Sequence, residues 1–122
     1  MGNRVTHFEI PSDDTGKSMK FFKNVFGWTF QQFGNEDYWL ATTGEEGTPG
    51  INGAVMKKVA PGQPLTNSIM VDDMETTLAQ VEKEGGKVVK QAFSIPTVGW
   101  LAFFSDPDGN IHGVWKEDPT AR

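Results

Sequence analysis

Residues 100–116 read WLAFFSDPDGNIHGVWK, and this stretch decides the fold. Trp100 to Ser105 is aromatic and aliphatic, a composition that suits a pleated, half-buried surface. Asp106-Pro107-Asp108-Gly109 then forms a turn for chemical reasons: proline presets φ, aspartate caps locally and glycine tolerates positive φ. Asn110 to Trp115 returns as a second strand. A hairpin this apolar needs further strands beside it and a helix over one face. The rest of the chain supplies both, twice.

Working back from the hairpin, Lys87 to Phe93 reads as a strand and Ser94 to Gly99, with Pro96, as a loop. Asp72-Asp73 opens a helix running to Glu84, with Met74, Leu78 and Val81 on its apolar face and Gly85-Gly86 as its stop. Thr66 to Val71 is the strand before it. The first half shows the same order. Arg4 to Ile10 alternates, with Phe8 and Ile10 on one face and His7 and Glu9 on the other. Lys17 to Phe26 is a helix with Met19, Phe22, Val25 and Phe26 on its apolar side and Gly27 as its stop. Trp28–Phe33, Tyr38–Thr43 and Ile51–Lys57 are the remaining strands. A shift of 59 positions carries Asp13-Asp14 onto Asp72-Asp73, Met19 onto Leu78, Phe22 onto Val81 and Gly27 onto Gly86. The expected fold is therefore α+β, one domain over residues 1–122 with a module at about 4–58 and a second at about 66–117, each β-α-β-β-β. Such a duplication implies that neither unit buries its sheet alone.

The 122 residues carry a net charge of −5 with no basic cluster, which sets nucleic-acid binding aside. No apolar run approaches the ~20 residues of a membrane span, so no membrane partner is expected. The N-terminal MGNRVTHFEIP lacks an apolar signal core, and a cytoplasmic location is the default expectation. Cysteine is absent, which excludes disulfides, thiol nucleophiles and thiolate metal ligands.

Two such modules, with HFEIP (residues 7–11) at the start, SMKFFKNVFGW (18–28), PGINGAVMK (49–57) and DPDGN (106–110) before the last strand, resemble the vicinal oxygen chelate superfamily. That superfamily includes glyoxalase I, bleomycin-resistance proteins and extradiol dioxygenases. The resemblance implies sheets curling around a cavity, and a His or Glu ligand on the first and last strand of each module in metal-binding members. Here His7 stands at the first position, Thr66 at its counterpart, and Gly53 and Gly113 at the last-strand positions. One ligand of four is a poor site for a divalent ion, which usually takes three or four. No cofactor is therefore expected, and a divalent metal, held through His7 if at all, is disfavoured. His112 lies one residue from Gly113, so alternation aims it at the helix-packed face as a structural residue.

What remains is a proton-transfer pair and a wall. His7 and Glu9 share a face, and a neighbouring charge or apolar surroundings would shift the pKa of each. By the same alternation the resemblance implies a cavity wall of Ile51, Gly53, Val55, Ser68, Met70, Ile111, Gly113 and Trp115, with the two glycines leaving room beside the tryptophan for an aromatic or amphipathic molecule. Three functions follow from the resemblance: a metal-independent small-molecule binder or enzyme using His7 and Glu9, a metal-dependent lyase, isomerase or dioxygenase, and a drug-sequestering resistance protein. Superfamily members of this size also imply a homodimer.

Overall fold

The computed structural model describes residues 2–122. Its order is β1 (Arg4–Ser12), α1 (Thr15–Phe26), β2 (Thr29–Gln32), β3 (Tyr38–Thr42), β4 (Gly53–Lys57), β5 (Thr66–Met70), α2 (Met74–Lys83), β6 (Lys87–Ile95), β7 (Gly99–Ser105) and β8 (Ile111–Glu117). This is β-α-β-β-β twice, an α+β fold. The chain gathers into two compact units, Thr6–Leu65 and Thr66–Arg122, and the second also takes in the chain up to Val5. Asn3 N–H donates to the Met70 carbonyl, which ties the start of β1 to the end of β5.

Each unit repeats one strand pattern. In the first, β2 and β3 run antiparallel, β3 pairs antiparallel with β4, and β4 lies parallel to β1. In the second, β6, β7 and β8 are antiparallel neighbours and β8 lies parallel to β5. Register then fixes the faces. Glu9 lies against Ala54, Leu40 against Ala54 and Tyr38 against Met56, so His7, Glu9, Tyr38, Leu40, Ala54 and Met56 share one face. Phe8, Ile10, Ser12, Gly53, Val55 and Trp39 take the other, beneath α1. There Phe8 packs 5.6 Å from Trp28, Trp28 stacks on Phe22 at 4.7 Å, and the Ser12 and Ser18 hydroxyls are bonded at 2.6 Å. In the second unit Leu78 of α2 is buried with Val71, Ala102 and Val114, flanked by Met74, Ile69, Val88 and Phe104. Its opposite face carries Ser68, Met70, Gly113, Trp115, Leu101 and Phe103.

The helices begin where the aspartates predict. Asp14 and Asp73, both extended, accept from the N–H of Lys17 and Thr76, a cap that stabilises by about 1 kcal/mol. Gly27 ends α1 at φ 77°, a left-handed conformation open to glycine, and its N–H returns to the Lys23 carbonyl. The Asp106–Gly109 turn is organised by the Asp106 carboxylate, which accepts from the N–H groups of Asp108 and Asn110 and lies 2.8 Å from His112 Nε2.

Several expectations change. Of the four apolar helix residues that the 59-residue offset matches, only Leu78 is buried, whereas Met19, Phe22 and Val81 are half-buried. Phe26 and Val25 are exposed, along with Phe21. The apolar residues of α1 are too many for one stripe, so periodicity names the direction of the sheet without saying which members reach it. Ser94 and Ile95 extend β6 and Gly99 opens β7, leaving a tighter connection around Pro96 than the expected loop.

Candidate functional site

The open face of the first unit holds a hydrogen-bonded group of three side chains. β1 places His7 and Glu9 two residues apart on one side, and β3, two strands over, brings Tyr38 between them. The Tyr38 hydroxyl donates to Glu9 Oε2 at 2.6 Å and lies 2.8 Å from His7 Nε2. The His7 and Tyr38 rings are nearly parallel, with centroids 6.5 Å apart, and Phe33 meets Tyr38 edge-on at 6.1 Å. Neighbouring Leu40, Ala54 and Met56 are apolar.

Glu9 is 7% exposed, and burial raises its pKa above the ordinary carboxylate value, opposed in part by the Tyr38 hydrogen bond. Burial lowers that of His7, so the imidazole favours its neutral form. Burial first, then the charge of Glu9, holds Tyr38 firmly protonated. The site therefore contains a carboxylate with heightened basicity, a neutral imidazole and a phenol between them.

The structure sorts the remaining expected wall residues by face. Ser68, Met70, Ile111, Gly113 and Trp115 share the open face of the second unit. Gly53 and Val55 do not join His7 and Glu9: the register of Glu9 with Ala54 turns both to the α1 side. Carrying the 59-residue offset back from Gly113 reaches Ala54, one position beyond Gly53. The expected open volume beside the glycines is also absent. A Cβ on Gly53 would lie 2.5 Å from the Phe8 ring and carbonyl, and one on Gly113 would lie 2.6 Å from Ser68 Oγ. Both are glycines of close packing. Ile51 precedes β4 at the surface, 36% exposed. His112 stacks on Phe104 at 5.2 Å on the α2 side while bonding Asp106, the structural placement that alternation predicts.

Tyr38 is the site residue that sequence reasoning missed. It is the only tyrosine in the chain, but its face depends on pairing across β4, which no local pattern states. Trp39 and Trp100 lie on helix sides. Trp39 donates to Asp37 Oδ1 at 2.9 Å, and Trp100 donates to Asp118 while lining a groove of 870 Å³ with Met74, Leu78 and Lys116.

The divalent metal that the resemblance implies finds no matching donor set among the described residues. His7 and Glu9 are engaged with Tyr38, and among the described residues no three His, Cys, Asp or Glu side chains converge.

Residues 4–44, which include all three site residues, match the family described as bleomycin resistance protein-like N-terminal. A glyoxylase-like domain-containing protein of Didymella fabae is 32% identical over 91% of this chain and 91% of its own length. CFP32 of Mycobacterium tuberculosis, whose name carries the word glyoxylase, is 31% identical over 88% of this chain, which spans only 43% of that protein. A superfamily member from Vibrio splendidus, described as glyoxalase/bleomycin resistance protein/dioxygenase, superposes with a TM-score of 0.66 at 18% identity, over 94% of this chain and 99% of that one. Methylmalonyl-CoA epimerase of Streptomyces coelicolor superposes at 0.69 with 11% identity, over 100% and 99%. The fold and the full-length relative together define the class: the chain belongs to the glyoxalase/bleomycin-resistance/dioxygenase, or vicinal oxygen chelate, superfamily.

Proposed function

We propose that the protein binds a small aromatic or amphipathic molecule against the His7–Tyr38–Glu9 face and that Glu9 moves a proton to or from it without a metal ion. The observation that carries this is the buried Glu9 carboxylate, hydrogen-bonded at 2.6 Å and made more basic by its surroundings. A base of raised pKa removes protons from weak acids more effectively than an exposed carboxylate does. Half-buried His7, Met56 and Phe33 and exposed Leu40 supply a mixed polar and apolar surface for an organic ligand. The test is deuterium incorporation, followed by NMR in D₂O, at carbons adjacent to carbonyl groups in a panel of keto acids, hydroxyketones and aryl ketones. Exchange with the wild-type protein and its loss in Glu9→Gln is the expected result. Absence of exchange in every member of the panel would overturn the catalytic half.

The match of residues 4–44 to the bleomycin-resistance family favours a second function at the same face, sequestration of a small molecule without chemistry. Binding without exchange would select it. A homodimer belongs to the same proposal. The exposed Phe21, Val25 and Phe26 on α1 offer apolar surface for one, and sedimentation equilibrium measures it.

A further inference from the structure

We infer that Tyr38 is a positioning residue that fixes His7 as the Nε2–H tautomer, leaving Nδ1 as the acceptor for an O–H or N–H group of the ligand. This rests on the site proposed above, but its geometry is independent of any reaction. A phenolic hydroxyl has one hydrogen. In Tyr38 that hydrogen is directed to Glu9 Oε2 at 2.6 Å. The 2.8 Å contact with His7 Nε2 therefore needs its hydrogen from the imidazole, so Nε2 carries the proton and the Tyr38 oxygen accepts. A neutral imidazole has one N–H, which leaves a lone pair on Nδ1. His7 is half-buried, and its one hydrogen bond among the described residues is the Nε2 contact with Tyr38.

The direction of the chain is set at its far end. Glu9 accepts, Tyr38 passes the polarity along, and His7 presents the result to the ligand. No other titratable side chain of β1 to β4 shares this face: Lys57 lies on the α1 side, and the residues beside the three are Pro11, Ala54, Met56, Leu40, Thr42, Gln31 and Thr29. A ligand hydroxyl, ammonium or amide N–H is thus favoured at His7, and an ether or ester oxygen placed there would meet lone pair against lone pair.

The experiment reads the tautomer directly in the ligand-free protein, by long-range ¹H–¹⁵N correlation of histidine-labelled samples at pH 8. The chain has two histidines, and His7→Ala identifies the signals. The wild type should show His7 protonated at Nε2. Glu9→Leu removes the acceptor, so the Tyr38 proton turns to His7 and the tautomer should switch to Nδ1–H. Tyr38→Phe should leave a mixture of the two forms. An Nδ1–H wild type, or an unchanged tautomer in Glu9→Leu, would overturn the inference. For the ligand half, phenol should shift the His7 Nδ1 resonance and anisole should not; equal shifts, or none, would refute it. Because no reaction is measured, a failure of carbon-acid exchange leaves these outcomes intact and separately readable.

Discussion

The two units share a strand order, a helix start and a turn logic, yet their open faces carry different chemistry. At the 59-residue offset, His7 and Glu9 of the first correspond to Thr66 and Ser68 of the second. Tyr38 pairs with Met56 as Leu101 pairs with Trp115, so a leucine stands where the first unit has its phenol. Glu9 has a partner at 2.6 Å, whereas Ser68 Oγ is buried with none among the described residues. The helix sides differ in the opposite sense: α2 seats Leu78 in an aliphatic core with Val71, Ala102 and Val114, while α1 rests on stacked aromatic rings and leaves Phe21, Val25 and Phe26 outside. One copy of the scaffold has kept its polar groups mutually satisfied on the sheet face, and the other has put its effort into packing. Duplication permits that division because each requirement then falls on one copy only.

The largest expected effect tests the packing side of the contrast. Leu78→Ala should destabilise by about 2–5 kcal/mol, the range for truncating a buried leucine, measured as a shift of the urea midpoint. Phe26→Ala, at 61% exposure, should move it little. A Phe26 variant as damaging as the Leu78 one would mean that α1 has a cover the monomer does not show.

Next come the glycines. Gly53→Ala places its Cβ against the Phe8 carbonyl, a backbone atom that cannot swing aside, and should cost about 1–3 kcal/mol. Gly113→Leu drives into Ser68 and should cost a similar amount. A fully stable Gly113→Leu protein would restore the open volume expected from the sequence.

How far the sequence could lead is clearest at these positions. The Asp106–Gly109 turn, the paired aspartate caps and the alternation of β1 rest on local chemistry, and all three stand in the structure. Alternation alone places His7 and Glu9 on one face. Gly53 lies on the opposite face from the one parity predicts because residues 44–52 form a loop, and a loop resets strand parity in a way that composition does not record. Glycine at two similar positions suggested equivalence, but pairing identifies Ala54 as the counterpart of Gly113. Tyr38 escaped for a related reason: its partners are 29 and 31 residues away and meet it only across paired strands.

The pH dependence of stability should separate the units further. Between the ordinary glutamate value of 4.5 and its raised folded value, native Glu9 holds a proton that the unfolded chain has released. Stability from this group is therefore present below 4.5, falls as pH rises through that window and levels off above it. His7 acts in the other direction, since below its ordinary value of 6.5 the unfolded chain binds a proton that the buried ring resists. Its contribution is present above 6.5 and is lost as pH falls through the lowered folded value. Glu9→Gln should remove the first slope and leave the second, as followed by thermal melts across pH 4–8. An unchanged profile would show that Glu9 is more hydrated than its position implies.

The smallest effect belongs to the hairpin of the second unit. Asp106 is pulled to about 2 by His112 and then by Asn110, so its contribution is present above the ordinary value of 3.8 and lost as pH falls toward about 2. Carboxyl ¹³C titration should return its midpoint toward the ordinary value in His112→Ala, and no return would mean that the turn amides alone hold the charge.

The bond from Asn3 to Met70 has a consequence for how the chain can be divided. The first few residues complete the later half, so a break in the segment between β4 and β5 yields two fragments of which the longer-numbered one lacks an arm that only the other carries. The later fragment should fold when the first is co-expressed and fail to fold when made alone, as circular dichroism would report. Closing that contact spans more than half of the chain, an entropic toll that grows only logarithmically with length. A ribosome must therefore release β5 before the residues it made first can find their place.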